Sequence, residues 1–155
     1  MNCGRRGSAA LSPFYAMATK THPSSQIFNK CRELIKLLNV HLNHFPRHEK
    51  FALCQEIRNA VYDVYQLLVE HQKKHFNKTT LTKLDIRHEQ LRMLVNLSFE
   101  MGYYEYKDNK RGRSEAEAQR RYTAASVLIN ELGAMIGSRI RSAREASRAA
   151  NGVTA

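Results

Sequence analysis

The groups in this sequence whose types and spacing bear on chemistry are histidines, cysteines and a large excess of cations. His41, His44 and His48 lie close together, and His71 and His75 stand four apart. A metal site needs converging ligands, usually with a carboxylate or thiolate among them. Here Pro46 interrupts any helix shared by His44 and His48, and Lys73 and Lys74 beside the second pair would repel a cation. Solvent-facing or capping imidazoles fit these positions better than ligands. Glu33, Glu56 and Glu70 fall off the apolar stripes and no Glu-x-x-His occurs, which argues against a di-metal carboxylate bundle. There is no phosphate-binding glycine loop, no GxGxxG and no HExxH. The reading is a non-enzyme with no catalytic residue, no metal and no cofactor.

Cys3, Cys31 and Cys54 form an odd set without CxxC spacing. That pattern argues against a disulfide framework or a zinc site. Cys31 and Cys54 fall on apolar helical positions and read as buried small hydrophobes. Free thiols fit a reducing cytoplasm.

The charge says more. Among 155 residues, 25 Lys and Arg face 14 Asp and Glu, for a net charge of +11. This excess points to a polyanionic partner: nucleic acid first, an acidic protein surface second, an anionic membrane third. The cations cluster. Lys73, Lys74, Lys78, Lys83, Arg87 and Arg92 form one run. Lys107, Lys110, Arg111 and Arg113 form a second, with Arg120 and Arg121 just beyond. Arg139, Arg141, Arg144 and Arg148 form a third. For any one of them the plain reading is a solvated helix face, and the late arginines also suit a helix C-terminus. The ensemble is harder to dismiss, because the acids do not balance it. Such side chains bind phosphates without reading sequence. Tyr103, Tyr104 and Tyr106 beside the second run either stack on bases or cover the end of the fold; the latter is simpler.

The elements that must position these groups are helices. The length suits one domain, and 43% hydrophobic residues allow a sizeable core. Seven glycines and three prolines are too few for an all-β chain. No run approaches the roughly 18 apolar residues of a membrane span. Residues 1–23 lack acids and helical periodicity. They resemble a transit peptide, or translation begins at Met17; they are set apart as a flexible extension. Ile27, Cys31, Leu34, Ile35, Leu38 and Leu42 mark a first helix ending at Asn43–His44. Phe51, Cys54, Ile57, Val61, Val64, Tyr65 and Leu68 mark a second, entered through Pro46 and ending about His75. Leu81, Leu84, His88, Leu91, Leu94 or Val95, Ser98 and Met101 mark a third, ending near Tyr104. Residues 107–113 read as a basic loop. Ser114 to Glu117 matches a capping box that opens a fourth helix with Tyr122, Ala125, Ile129, Leu132, Ile136 and Ile140. Four amphipathic helices with short links predict an all-α, antiparallel up-down four-helix bundle over 24–145, with a flexible tail over 146–155. Gly133 and Gly137 lie on the fourth stripe. Each costs about 1 kcal/mol relative to alanine, which predicts close approach of another helix backbone, within the bundle or on a second subunit.

These residues also carry a resemblance. Phe45-Pro46-Arg47-His48-Glu49-Lys50-Phe51 through Arg58 resembles the entry to the second helix of small bacterial four-helix-bundle proteins. Lys83-Leu84 with Leu91-Arg92-Met93-Leu94 resembles their third helix. Leu128 through Ile140 resembles their closing helix. The proteins are the Avd (accessory variability determinant) proteins of diversity-generating retroelements and the related proteins encoded in 23S rRNA intervening sequences. The match spans roughly Phe28 to Ser142. Cys54 replaces a common glycine, Arg139 a frequent tryptophan, and the Lys107–Arg113 loop is longer and more basic. Val95 and Phe99 stand where relatives often carry arginines.

The resemblance implies a non-catalytic accessory protein, assembled as a barrel-shaped homopentamer. It implies partners too: a reverse transcriptase and its template RNA, or an RNA/DNA hybrid, held for mutagenic cDNA synthesis. The alternative it carries is a structural, ribosomal-RNA-associated bundle of the intervening-sequence type. The expected contacts to nucleic acid or polymerase are Lys83, Arg87, Arg92, Lys110, Arg111, Arg113, Arg139, Arg141 and Arg144. Gly133 and Gly137 are the expected packing or assembly positions.

Overall fold

The computed structural model describes residues 23–74 and 78–152. The N-terminal extension with Cys3, His75 and the last three residues lie outside these. Four helices dominate: α1 (Pro23–Leu42), α2 (Leu53–Lys73), α3 (Lys78–Glu100) and α4 (Glu115–Gly152). Cross-helix contacts fix their directions. Phe28 meets Tyr65, and Arg58 bonds Asn39 and Asn43, so α2 runs against α1. Asp63 pairs with Arg87 and Glu70 with Thr80, so α3 runs against α2. His88 bonds Ile129 and Asn96 bonds Tyr122, so α4 runs against α3. Lys30 pairs with Glu131 and closes α1 onto α4. The protein is an antiparallel up-down four-helix bundle.

The core is the set of apolar stripes. Cys31, Leu34 and Leu38 of α1, Ile57, Val61 and Val64 of α2, Leu84, Leu91 and Val95 of α3, and Ala125, Ile129, Leu132 and Ile136 of α4 are buried in one cluster. A helix of about 3.6 residues per turn brings each set onto one face. Cys31 and Cys54 are free and buried within it, and burial pushes the Cys31 thiol up to about 12.

The element ends differ from the sequence expectation in informative ways. Pro46 is extended at φ −53 and ψ 141 and does not open α2. A 3-10 turn over Arg47–Glu49 intervenes, and α2 begins only at Leu53. The Glu49 carboxylate accepts from the Leu53 N–H at 3.2 Å and so serves the free end of α2. Phe51 rides on this turn and is 83% exposed, not part of the second stripe. At the other end α3 stops at Glu100, earlier than Tyr104, because Gly102 takes a left-handed φ of 73 and its N–H bonds Phe99 O. The basic loop contains a two-stranded antiparallel hairpin, β1 (Tyr106–Lys107) and β2 (Lys110–Arg111), turned by Asp108 and Asn109 at φ 51 and 67. Ser114 Oγ accepts from the Glu117 N–H, one half of the capping box. The Glu117 carboxylate goes to Arg113 instead.

α4 has 38 residues against 20 to 23 in the others. It is about 57 Å long at 1.5 Å per residue. It continues as helix through residues 146–152, which the sequence placed in a tail.

Candidate nucleic-acid interface

The nine cationic candidates do not form one patch. Lys110, Arg111 and Arg113 sit on or beside the hairpin, next to the N-terminus of α4. Arg139, Arg141 and Arg144 lie more than 20 residues further along α4, about 40 Å away. Lys83, Arg87 and Arg92 are spread along α3.

Their partners divide them again. Arg113 is the clearest correction: its side chain is 5% exposed. Its Nε donates to Glu117 at 3.0 Å and its other end donates to the Tyr106 carbonyl. It fastens the hairpin base to α4 and is withdrawn from the contact surface. Arg87 bridges to Asp63 at 3.4 Å, Arg92 to Glu89 at 3.1 Å, and Arg111 to Glu105 at 3.1 Å. Among the described residues no ion pair is made by Lys83, Lys110, Arg139, Arg141 or Arg144. Of these, Arg139 is half-buried; burial lowers its guanidinium, and its charge helps desolvation lower His71. Lys83, Lys110, Arg141 and Arg144 are exposed and available to phosphate.

Two hydrogen bonds to His44 tie the hairpin tip to the end of α1. Asn109 N–H donates to His44 O at 3.2 Å, and Asp108 N–H to His44 Nδ1 at 3.2 Å. In the strand register Lys107 faces Lys110 directly. Like charges in that relation destabilise a hairpin and are relieved by an anion between them.

The tyrosines beside the hairpin take the simpler role. Tyr103 and Tyr104 are buried and close the bundle end with Phe45, Phe99 and Tyr122. Tyr103 donates to Glu49 at 2.7 Å, which raises the phenol to about 12 and lowers the carboxylate.

Gly133 and Gly137 part company. A Cβ at Gly133 would lie 2.7 Å from His88 Cε1 and 3.2 Å from an Arg92 nitrogen. The close neighbour is thus an imidazole on α3, not the helix backbone expected from the sequence. His88 is buried and its Nε2 lies 2.8 Å from Ile129 O. At Gly137 a Cβ would meet only Arg141, at 3.7 Å. His41 corrects the expectation for the first histidine group: it is 4% exposed, edge-on to Tyr104, with Nδ1 unbonded. Burial first, then Arg121 and Arg113, lowers it to about 4.

Sequence reading passed over one group here. Arg47, Lys50, Phe51 and Arg58 converge on a hollow beside the hairpin tip. Their shared signal was the exposed turn after Pro46, hidden because Phe51 fits the helical period.

No helix of the described residues is long and apolar enough to cross a membrane. Fold and surface together define a helical-bundle protein with cations displayed at both poles. The bAvd-like family model matches residues 25–143, and the chain belongs to that family. Avd-type proteins are accessory proteins of a non-catalytic kind. No curated protein matches the chain by sequence.

Proposed function

We propose that this chain is the accessory protein of a diversity-generating retroelement. It binds the reverse transcriptase and the template RNA, or an RNA/DNA hybrid, and supports mutagenic cDNA synthesis. It works as a homo-oligomer, a pentamer by analogy with the family, in the cytoplasm. The observation that carries this reading is a charge of +11 on a bAvd-like bundle, with several exposed cations that make no ion pair among the described residues. Lys83, Lys110, Arg141 and Arg144 are the exposed contacts, with Arg139 half-buried beside them. The protein supplies no bond-making group; it holds phosphates by Coulomb attraction and counterion release near a polymerase.

The test is RNA retention against salt, with solution mass measured on the same sample. The expected result is a multi-subunit mass and a log affinity that falls linearly with log salt, at about 0.7 per phosphate for single strands. Pull-down of the polymerase encoded beside it follows. A monomer that ignores RNA at low salt overturns the reading.

A further inference from the structure

Between the α1–α2 connection and the hairpin tip lies a cleft of about 540 Å³. Arg47, Lys50 and Arg58 line it, with Phe51, Pro46 and the hairpin residue Asn109. Three of its lining residues are cationic and none is a carboxylate. Two acids stand nearby: Glu49 is turned inward, its two oxygens taken by the Tyr103 hydroxyl and the Leu53 N–H, and Asp108 at the hairpin tip is exposed and paired with His44. Arg58 is held by amide oxygens only: Nε to Asn39 and NH2 to Asn43, each at 3.1 Å. Those bonds orient the guanidinium without neutralising it. Lys107 and Lys110 stand on the hairpin whose tip forms one wall.

Phe51 is the unusual component. It is the most exposed large hydrophobic among the described residues, and Lys50 Nζ lies 5.5 Å from its ring centroid. Leaving a phenylalanine in water forgoes the stabilisation that burying its ring would give. An isolated aromatic face set among unpaired cations suits a ligand that is flat and apolar in one part and anionic beside it. A nucleotide within a single strand has that make-up: aromatic platforms stack bases while cations track the backbone. A duplex hides its base faces and offers only phosphates. An acidic protein segment would use the cations but has no general need of the ring.

We infer that this cleft takes a single-stranded nucleic-acid segment, with one base stacked on Phe51 and the flanking phosphates on Arg47, Lys50 and Arg58. The inference rests on the nucleic-acid reading above and gives it a place on the molecule. The His44 bonds to Asp108 and Asn109 hold the hairpin wall in position before the strand arrives.

The experiment is fluorescence anisotropy of the full chain with a short labelled single-stranded RNA and with the matched RNA duplex. Wild type, Phe51→Ala and Phe51→Tyr are compared, with thermal melting and solution mass measured for each. Phe51→Ala is expected to weaken single-strand binding by about 5- to 160-fold, the range for one lost base stack, while duplex binding and melting stay unchanged. Phe51→Tyr restores the affinity. If Phe51→Ala binds the single strand like wild type while wild type retains salt-dependent RNA binding, the cleft is wrong and the accessory reading stands. If wild type shows no salt-dependent RNA binding, both fall. If Phe51→Ala changes only the solution mass, the ring is a protein contact and the inference is overturned.

Discussion

Two open depressions on this bundle carry opposite charge. The larger, about 1150 Å³, runs between α2 and α3. Tyr62, Ile86, Met93 and Leu97 form exposed apolar parts of it, and Glu56, Asp63, Glu89 and Glu100 bring carboxylates. Its cation, Arg87, is bridged to Asp63. The smaller cleft beside the hairpin has three cations and no carboxylate. A net charge is a sum, and a polyanion meets the local field rather than the sum. Two like charges about 4 Å apart repel by about 1 kcal/mol in water and about 4 kcal/mol near a protein surface. The groove therefore turns phosphates away from a strongly basic protein.

The buried interior of the bundle holds two histidines whose neutral forms the fold favours. His41 is lowered to about 4, by burial and then by Arg121, Arg113 and His44. His88 is also lowered, mainly by burial, against the bond to Ile129; Arg92 lowers it further, while Glu89 and Asp85 act the other way. A lowered histidine takes up its proton more readily in the unfolded chain. Stability is therefore full above about pH 6.5 and falls as pH drops toward 4. His41 alone accounts for roughly 2 kcal/mol lost between pH 7.5 and 5, from its shift at about 1.4 kcal/mol per unit. Denaturant melts at the two pH values check this. His41→Gln should reduce the difference; an unchanged difference refutes the assignment.

The glycine pair sharpens the view of the α3–α4 seam. Gly133→Ala places a methyl where His88 Cε1 already lies 2.7 Å away. It is expected to destabilise by about 1–3 kcal/mol through overpacking. Gly137→Ala meets ordinary contact and should stabilise by up to about 1 kcal/mol through helix propensity. Melting temperatures moving in opposite directions confirm that one motif holds two environments. A loss of assembly with Gly137→Ala at unchanged monomer stability would show that a second copy fills that position.

The bundle was legible because burial follows a period that local sequence displays: Leu34, Ile57, Leu84 and Ile129 all point inward as their spacing requires. What failed to show were features made by contacts distant in sequence. Phe51 fits the second stripe, yet Glu49, tied to Tyr103 across the fold, starts α2 after it. Arg113 reads as one more loop cation, but Glu117 and the Tyr106 carbonyl draw it inside. Two-residue strands are too short to alternate, so the hairpin read as a loop; its trace was Asp108-Asn109, residues that tolerate left-handed backbone. His41 was visible in principle, since it falls three residues after Leu38 on the inward face.

Charge reversal in the cleft tests the comparison directly. Arg47→Glu with Lys50→Glu removes two exposed cations and leaves the core untouched. Single-strand affinity at low salt should fall at least about tenfold, and the salt slope should drop by about 1.4, at 0.7 per phosphate contact. An unchanged slope would put the phosphates elsewhere, with Lys83, Arg141 and Arg144 as the next choice.

The mirror change has the smallest expected effect and separates local field from total charge most cleanly. Glu56→Gln, Glu89→Gln and Glu100→Gln together raise the net charge by three, close in size to the four units by which the cleft variant lowers it. If binding followed net charge, RNA affinity should rise by a large factor. If it follows the cleft, the groove carboxylates act on it only through a field screened over a Debye length of about 8 Å at physiological salt. The expected gain is then less than about threefold at that salt and grows only as salt is lowered. Glu89→Gln also frees Arg92, so Glu56→Gln with Glu100→Gln alone serves as the control that disturbs no ion pair. A tenfold gain in that control would mean that RNA lies along the groove, and the distinction between the two faces would be lost.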